Sequence, residues 1–168
     1  MPKTTLSSKT TSSSKTTSSS RRPFRVGRAK TGLGLFATKL IRRGSFIVRY
    51  IGRMLPNRIA DELDTKYLFE VNARWTVDGS SRKNVARYVN HSCRPNAEAD
   101  VKKRKILITA IKTINPGDEI TYNYGRDYFN AFIKQHGCRC AACHQKKFVM
   151  RSKHKRSRKR KRGKRSRS

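Results

Sequence analysis

The sequence predicts a mainly β fold carried between two basic, low-complexity tails. Three observations support this. Short stretches rich in β-branched and aromatic residues recur between about residues 24 and 122, punctuated by Gly, Pro and Asn. No long amphipathic helix interrupts them. Strands do not alternate with helices, which argues against a doubly wound nucleotide-binding sheet.

Residues 1–20 are almost entirely Lys, Thr and Ser in a six-residue near-repeat that starts at Lys3, Lys9 and Lys15. Such a segment buries too little apolar surface to offset the entropy of ordering, so disorder is expected. Strands are expected at 24–26, 34–38, 45–51, 67–72, 75–78, 97–102 and 105–111. The turn Asn115-Pro116-Gly117-Asp118 leads into a further strand at 119–122. Short helices are expected at 58–64, 84–88 and 128–135. Residues 151–168 hold twelve Lys or Arg and no acid, a self-repelling tail suited to phosphate backbones or nuclear targeting.

The chain has 42 Lys and Arg against 10 Asp and Glu, a net charge of +32. Twelve of the cations lie in 151–168 and three in 1–20, so the middle segment, which holds all ten acids, is itself basic. Charge of this size implies a polyanionic partner, either DNA or RNA or an anionic membrane, and says little about fold. No apolar run is long enough to span a bilayer, and no apolar h-region follows the start. A nuclear or chromosome-associated location is therefore expected. Oligomeric state is not legible.

Four cysteines occupy positions 93, 138, 140 and 143. Three of them within six residues are too tightly spaced for an ordinary disulfide framework and suggest a metal site. The spacing Cys138-x-Cys140-x-x-Cys143 supplies three thiolates where zinc takes four ligands. His136 and His144 lie close enough in sequence to serve as ligands too.

Three further clusters are candidates for chemistry. In Lys30-Thr-Gly32-Leu-Gly34-Leu-Phe36 the two glycines permit close backbone approach to a ligand, or simply form a turn before a strand. Arg87-Tyr-Val-Asn90-His91-Ser-Cys93-Arg-Pro-Asn96 is dense in donors and acceptors. In Gly117-Asp-Glu-Ile-Thr-Tyr122-Asn-Tyr124-Gly125 the two tyrosines point to one face of a strand, as core aromatics or as a pocket wall.

Taken together and in this order, the clusters resemble the SET-domain protein-lysine methyltransferases, from about Phe24 to Cys143. The resemblance implies a compact fold of several small β-sheets with short helices, in which the last two motifs thread into a pseudoknot-like active site. It divides the chain into a tail at 1–20, a SET domain at 21–126, a zinc-binding post-SET segment at 127–150 and a tail at 151–168. With no cysteine-rich segment ahead of the domain, this is close to a minimal SET plus post-SET unit. It implies S-adenosyl-L-methionine as methyl donor, held by backbone around Leu33, Gly34 and Leu35 and by Asn90, His91 and Tyr124. Tyr124 matches the catalytic tyrosine and Tyr67 the tyrosine of the lysine channel. Tyr122 stands where the family controls the number of methyl groups, and a tyrosine there favours monomethylation. Cys93 would join Cys138, Cys140 and Cys143 around one zinc, although the commoner spacing is Cys-x-Cys-x4-Cys, two residues longer than here. Phe148 or a neighbour, after the zinc loop, would pack on the donor.

The substrate implied is a histone or another basic protein. Asp61, Glu62, Asp64 and Glu70 are expected to form an acidic groove for it. A free lysine has a pKa near 10.4, so an aromatic channel that disfavours the ammonium makes a carboxylate base unnecessary. The rival reading is a degenerate SET protein that binds chromatin or nucleic acid without turnover.

Overall fold

The computed structural model describes residues 22–144. Both tails, Phe148 and the end of the post-SET segment lie outside the described residues. Among the described residues, ten strands form three small sheets. The first sheet orders β1 (Phe24–Ala29), β2 (Gly32–Ala37), β10 (Glu119–Tyr122) and β7 (Asn90–His91). The second orders β3 (Phe46–Tyr50), β9 (Lys105–Ala110) and β8 (Ala97–Lys102). The third orders β4 (Arg53–Pro56), β6 (Trp75–Asp78) and β5 (Leu68–Asn72).

The core follows the period of two. On β9, Ile106, Ile108 and Ala110 are buried while Leu107 and Thr109 are only half-buried. On β10, Ile120 and Tyr122 face inward, meeting Leu35 and Ala37 of β2 in one cluster. An isolated antiparallel bridge joins Ile41 and Ile114, both buried in this same core.

β10 lies between antiparallel β2 and parallel β7. The β7 pairing is only two residues long, Asn90 with Thr121 and His91 with Tyr122. Asn96 extends it. Its Nδ2 donates to the Glu119 carbonyl at 2.9 Å, and its Oδ1 accepts the Thr121 N–H at 2.9 Å. Its own carbonyl accepts the Ile111 N–H at 2.9 Å. The second motif is thereby laced around the third, the threaded arrangement expected.

Several expectations need adjusting. β1 runs on to Ala29 and β2 begins at Gly32, because the two glycine-containing segments pair as one hairpin. β4 was not expected; it exists because it pairs with β6. The helix expected at 58–64 is cut to α1 (Asn57–Ala60), where Asn57 bonds both the Asn72 carbonyl and Thr76. The segment 84–88 winds only as a 3-10 turn, Val85–Tyr88. The helix expected at 128–135 spans α2 (Arg126–Tyr128), a π-helical turn Phe129–Ile133 and a 3-10 turn Lys134–His136.

A buried polar post supports the turn at Val85–Tyr88. Asn84 is fully buried; its Nδ2 donates to the Gly79 carbonyl at 3.0 Å and its Oδ1 accepts the Ile51 N–H at 3.1 Å. Gly79 is required there, since a Cβ would overlap the Tyr50 ring and the Asn84 amide.

Candidate active site

A cleft of about 1080 Å³ opens where β5, β7, β10 and the helix after Gly125 converge. Its wall is a chain of aromatic rings. Tyr50 packs on Phe69 at 5.6 Å and Phe69 on Tyr122 at 6.5 Å. Tyr122 packs on Tyr124 at 4.9 Å, and Tyr124 meets Tyr128 edge-on at 4.9 Å. The period-two spacing of Tyr122 and Tyr124 thus produces a pocket wall as well as a core contact.

Two of the hydroxyls are fixed by backbone carbonyls. Tyr124 Oη donates to the Val89 carbonyl at 2.8 Å, and Tyr50 Oη donates to the Tyr67 carbonyl at 2.7 Å. Burial, and then the Tyr128 phenol, pushes Tyr124 well above the ordinary tyrosine value. Tyr122 is raised by burial and then by Tyr124. These phenols remain protonated near neutrality and act as donors and apolar walls.

Tyr67 lines the cleft with the Arg87 guanidinium 3.9 Å from its ring centre. A second Arg87 nitrogen donates to the Ser80 carbonyl. A fixed cation stacked on this tyrosine orients the ring and adds positive charge beside the cleft. Of the four acids expected to form a groove, only Glu70 lines the cleft; Asp61, Glu62 and Asp64 are exposed elsewhere. Lys66, Arg87, Arg126 and Arg139 also line it, against the acids Glu70 and Asp127. Asp61, Glu62 and Asp64 follow α1 and do not reach the cleft, so the expected acidic groove does not form there.

The glycine-containing hairpin meets the second motif directly. Asn90 Nδ2 donates to the Leu33 carbonyl at 3.0 Å and to Glu119 Oε1 at 2.7 Å. Gly34 lies beneath this pair: a Cβ there would come within 2.7 Å of Glu119 Oε1 and 3.2 Å of Asn90 Nδ2. Leu33 is exposed at the cleft, whereas the Leu35 side chain is wholly buried in the core. Neither Gly34 nor Leu35 lines the cleft.

His91 joins the cleft to the cysteines. Its Nδ1 accepts the Tyr124 N–H at 3.3 Å, and its Nε2 lies 3.4 Å from Cys93 Sγ. Burial lowers its pKa, so the ring is neutral with its proton on Nε2, facing the sulfur.

The sulfurs of Cys93, Cys138, Cys140 and Cys143 all lie within 4.8 Å of one another. Cys93 Sγ is 3.7 Å from Cys138 Sγ and 3.6 Å from Cys143 Sγ. Tetrahedral zinc with bonds of about 2.3 Å separates its sulfurs by about 3.8 Å, so this donor set fits zinc. His136 and His144 are not in the group. Burial, then hydrogen bonds with Cys143 and Cys138, pushes the Cys93 thiol up. Burial acts to raise Cys140, but hydrogen bonds from the N–H groups of Cys93 and Cys143 and from the Cys138 and Cys143 side chains together bring the thiol down to about 6. A cation at the centre would hold all four as thiolates.

The SET domain family model matches residues 32–125, which include the glycine turn, the Asn-His strand and the Tyr-x-Tyr strand described above. The chain belongs to the SET-domain family. Histone-lysine N-methyltransferase 2D of Homo sapiens is 33% identical over 132 residues, covering 70% of this chain and 2% of that protein. Histone-lysine N-methyltransferase, H3 lysine-4 specific, of Schizosaccharomyces pombe is 37% identical over 105 residues, covering 55% of this chain and 11% of that protein. The chain thus spans a small part of these relatives. A solved structure of ctPRC2 in an autoinhibited conformation bound to S-adenosylmethionine superposes with a TM-score of 0.56 at 28% identity. It covers 62% of this chain and 15% of that one.

Within this SET domain, sequence reasoning missed Tyr50, Phe69 and Tyr128 as parts of the wall. Tyr128 lies in a segment read only as a helix, and its Oη donates to the Lys66 carbonyl at 3.2 Å, 62 positions away. No local pattern marks such a contact.

Proposed function

We propose that this SET-domain chain is an S-adenosylmethionine-dependent protein-lysine N-methyltransferase acting on histones or other basic chromatin-associated proteins. The observation that carries the reading is the phenol-lined cleft, with Tyr124 Oη anchored on the Val89 carbonyl beside the Asn90–Leu33 contact. The bound donor would supply an electrophilic methyl group on a sulfonium. The cleft is large enough for it, and Gly32, Leu33, Asn90, His91 and Tyr124 line the part of it where the donor would sit, with Gly34 packed behind Asn90.

The chain's own residues then have defined tasks. Tyr67, Tyr122, Tyr124 and Tyr128 form an apolar channel that disfavours the ammonium form of an entering lysine. The cations Arg87 and Lys66 beside Tyr67 act in the same direction. Glu70 and Asp127, the carboxylates lining the cleft among the described residues, are both exposed, so neither is a buried base. Fixed hydroxyls and carbonyls hold the amine in line and contribute weak C–H···O contacts. The buried Tyr122 hydroxyl narrows the channel, which favours monomethylation. Zinc on the four cysteines would tie the C-terminal segment to Cys93 along the cleft. The basic tails would hold the enzyme near DNA or RNA in the nucleus or on the chromosome, presenting substrate at high local concentration.

The test is methyl transfer from labelled S-adenosylmethionine to nucleosomes and free histones, with Tyr124→Phe alongside and products mapped by mass spectrometry. Lysine methylation lost in the variant is the expected result. A chain that fails to bind the donor at all is instead a non-enzymatic chromatin binder.

A further inference from the structure

The hairpin joining β8 to β9 carries an uninterrupted run of cations, Lys102-Lys103-Arg104-Lys105, all exposed. Lys102 pairs directly with Lys105, so the loop is a two-residue turn formed by Lys103 and Arg104. Both have positive φ, 49° and 60°, and among the described residues they are the only non-glycine residues that do. A two-residue turn with positive φ at both positions favours Asn-Gly, because a Cβ in the left-handed region crowds the backbone. Like charges directly opposite on paired strands are also unfavourable. The tip therefore departs from the stable choice at each of its four positions, and each departure adds positive charge. One acid answers it: Asp100 Oδ2 lies 3.3 Å from Lys102 Nζ. Lys103, Arg104 and Lys105 have no ion-pair partner among the described residues.

The placement is also directional. β8 begins at the active site, where Ala99 lines the cleft, and runs outward to the tip. At a strand rise of about 3.4 Å per residue, Lys103 stands roughly 14 Å from Ala99. A rigid arm of this length projects its charge clear of the cleft, where a phosphate backbone can meet it while the cleft remains open.

We propose that the β8–β9 hairpin is a nucleic-acid-contacting finger that grips the phosphate backbone of duplex DNA without reading sequence, a contact made by the folded domain in addition to the tails. It neutralises phosphates through Lys103 and Arg104, with Lys105 behind them, and so fixes the distance between the duplex and the cleft.

The double substitution Lys103→Asn with Arg104→Gly tests this. It installs the turn that the backbone favours and removes two charges, so loss of folding cannot explain its effect; its melting temperature should equal or exceed wild type. Affinity of the full chain for a duplex of arbitrary sequence is measured across a salt series, for wild type and variant. Each phosphate contact contributes about 0.9 to the slope of log affinity against log salt, so the variant should lose about 1.8. An unchanged slope in the well-folded variant would overturn the proposal. The readout is binding alone, so it stands apart from whether the chain transfers a methyl group.

Discussion

The His91 ring accepts the Tyr124 backbone N–H on Nδ1 at 3.3 Å and turns its other nitrogen toward Cys93 Sγ, 3.4 Å away. One neutral imidazole thus links the strand that carries the cleft's central phenol to the cysteine cluster. A hydrogen bond on one ring nitrogen sets the tautomer presented by the other, and partners of metal ligands commonly affect metal affinity and activity 10–100-fold.

His91→Ala is therefore expected to speed zinc loss to a chromophoric chelator and to lower methyl transfer, each by about 10-fold or more. A variant with unchanged chelation kinetics would show that the imidazole does not support the cluster.

Tyr124→Phe leaves the Val89 carbonyl without its 2.8 Å donor. An unsatisfied buried acceptor costs about 1–3 kcal/mol, so the urea midpoint should fall modestly while transfer is nearly abolished. Tyr122→Phe removes a hydroxyl from the channel and should raise the ratio of di- to monomethylated product, read by mass spectrometry.

Removing zinc should separate the C-terminal segment from the rest. Chelation is expected to expose the amides of 138–143 to hydrogen exchange while those of β9 and β10 keep their protection. Cys138→Ser should reproduce this, with one metal equivalent lost per chain.

Gly79→Ala should be among the most damaging small substitutions. The added methyl meets the Tyr50 ring and the Asn84 amide, both held in place by their own hydrogen bonds. A loss of about 3 kcal/mol or more is expected from chemical denaturation, since overpacking at a site that cannot relax exceeds the usual range.

The buried phenols predict an alkaline limit. Burial raises Tyr50, Tyr122 and Tyr124 above the unfolded value of about 10. Above that pH the unfolded chain loses phenolic protons that the folded chain keeps, so stability is full below about pH 10 and falls as pH rises beyond it. Denaturation midpoints at about pH 8 and about pH 11 would reveal the drop, and spectrophotometric titration should show tyrosines that ionise only on unfolding.

Much of the fold was legible because strand periodicity is local. The segments 75–78, 97–102 and 119–122 coincide with β6, β8 and β10; burial alternates along β8 and β10, and turn residues bound all three. The helix expected at 58–64 gave way to a single turn beginning at Asn57, whose side chain is held by the Asn72 carbonyl and Thr76, contacts made only after β5 and β6 pair. The acidic groove failed for a similar reason: closeness in sequence does not decide which acids share a surface, and of the four only Glu70 reaches the cleft.

The sequence by itself determined the family, the cysteine set, the order of the three motifs and the paired tyrosines, because each depends on residue type and short spacing. Only the tertiary structure decided that Asn96 binds β10 at two points, that Tyr50 and Tyr128 complete the aromatic wall, and that the cleft rim is more basic than acidic. Those features join residues tens of positions apart, and such contacts are set by chain path and packing, which no local pattern encodes.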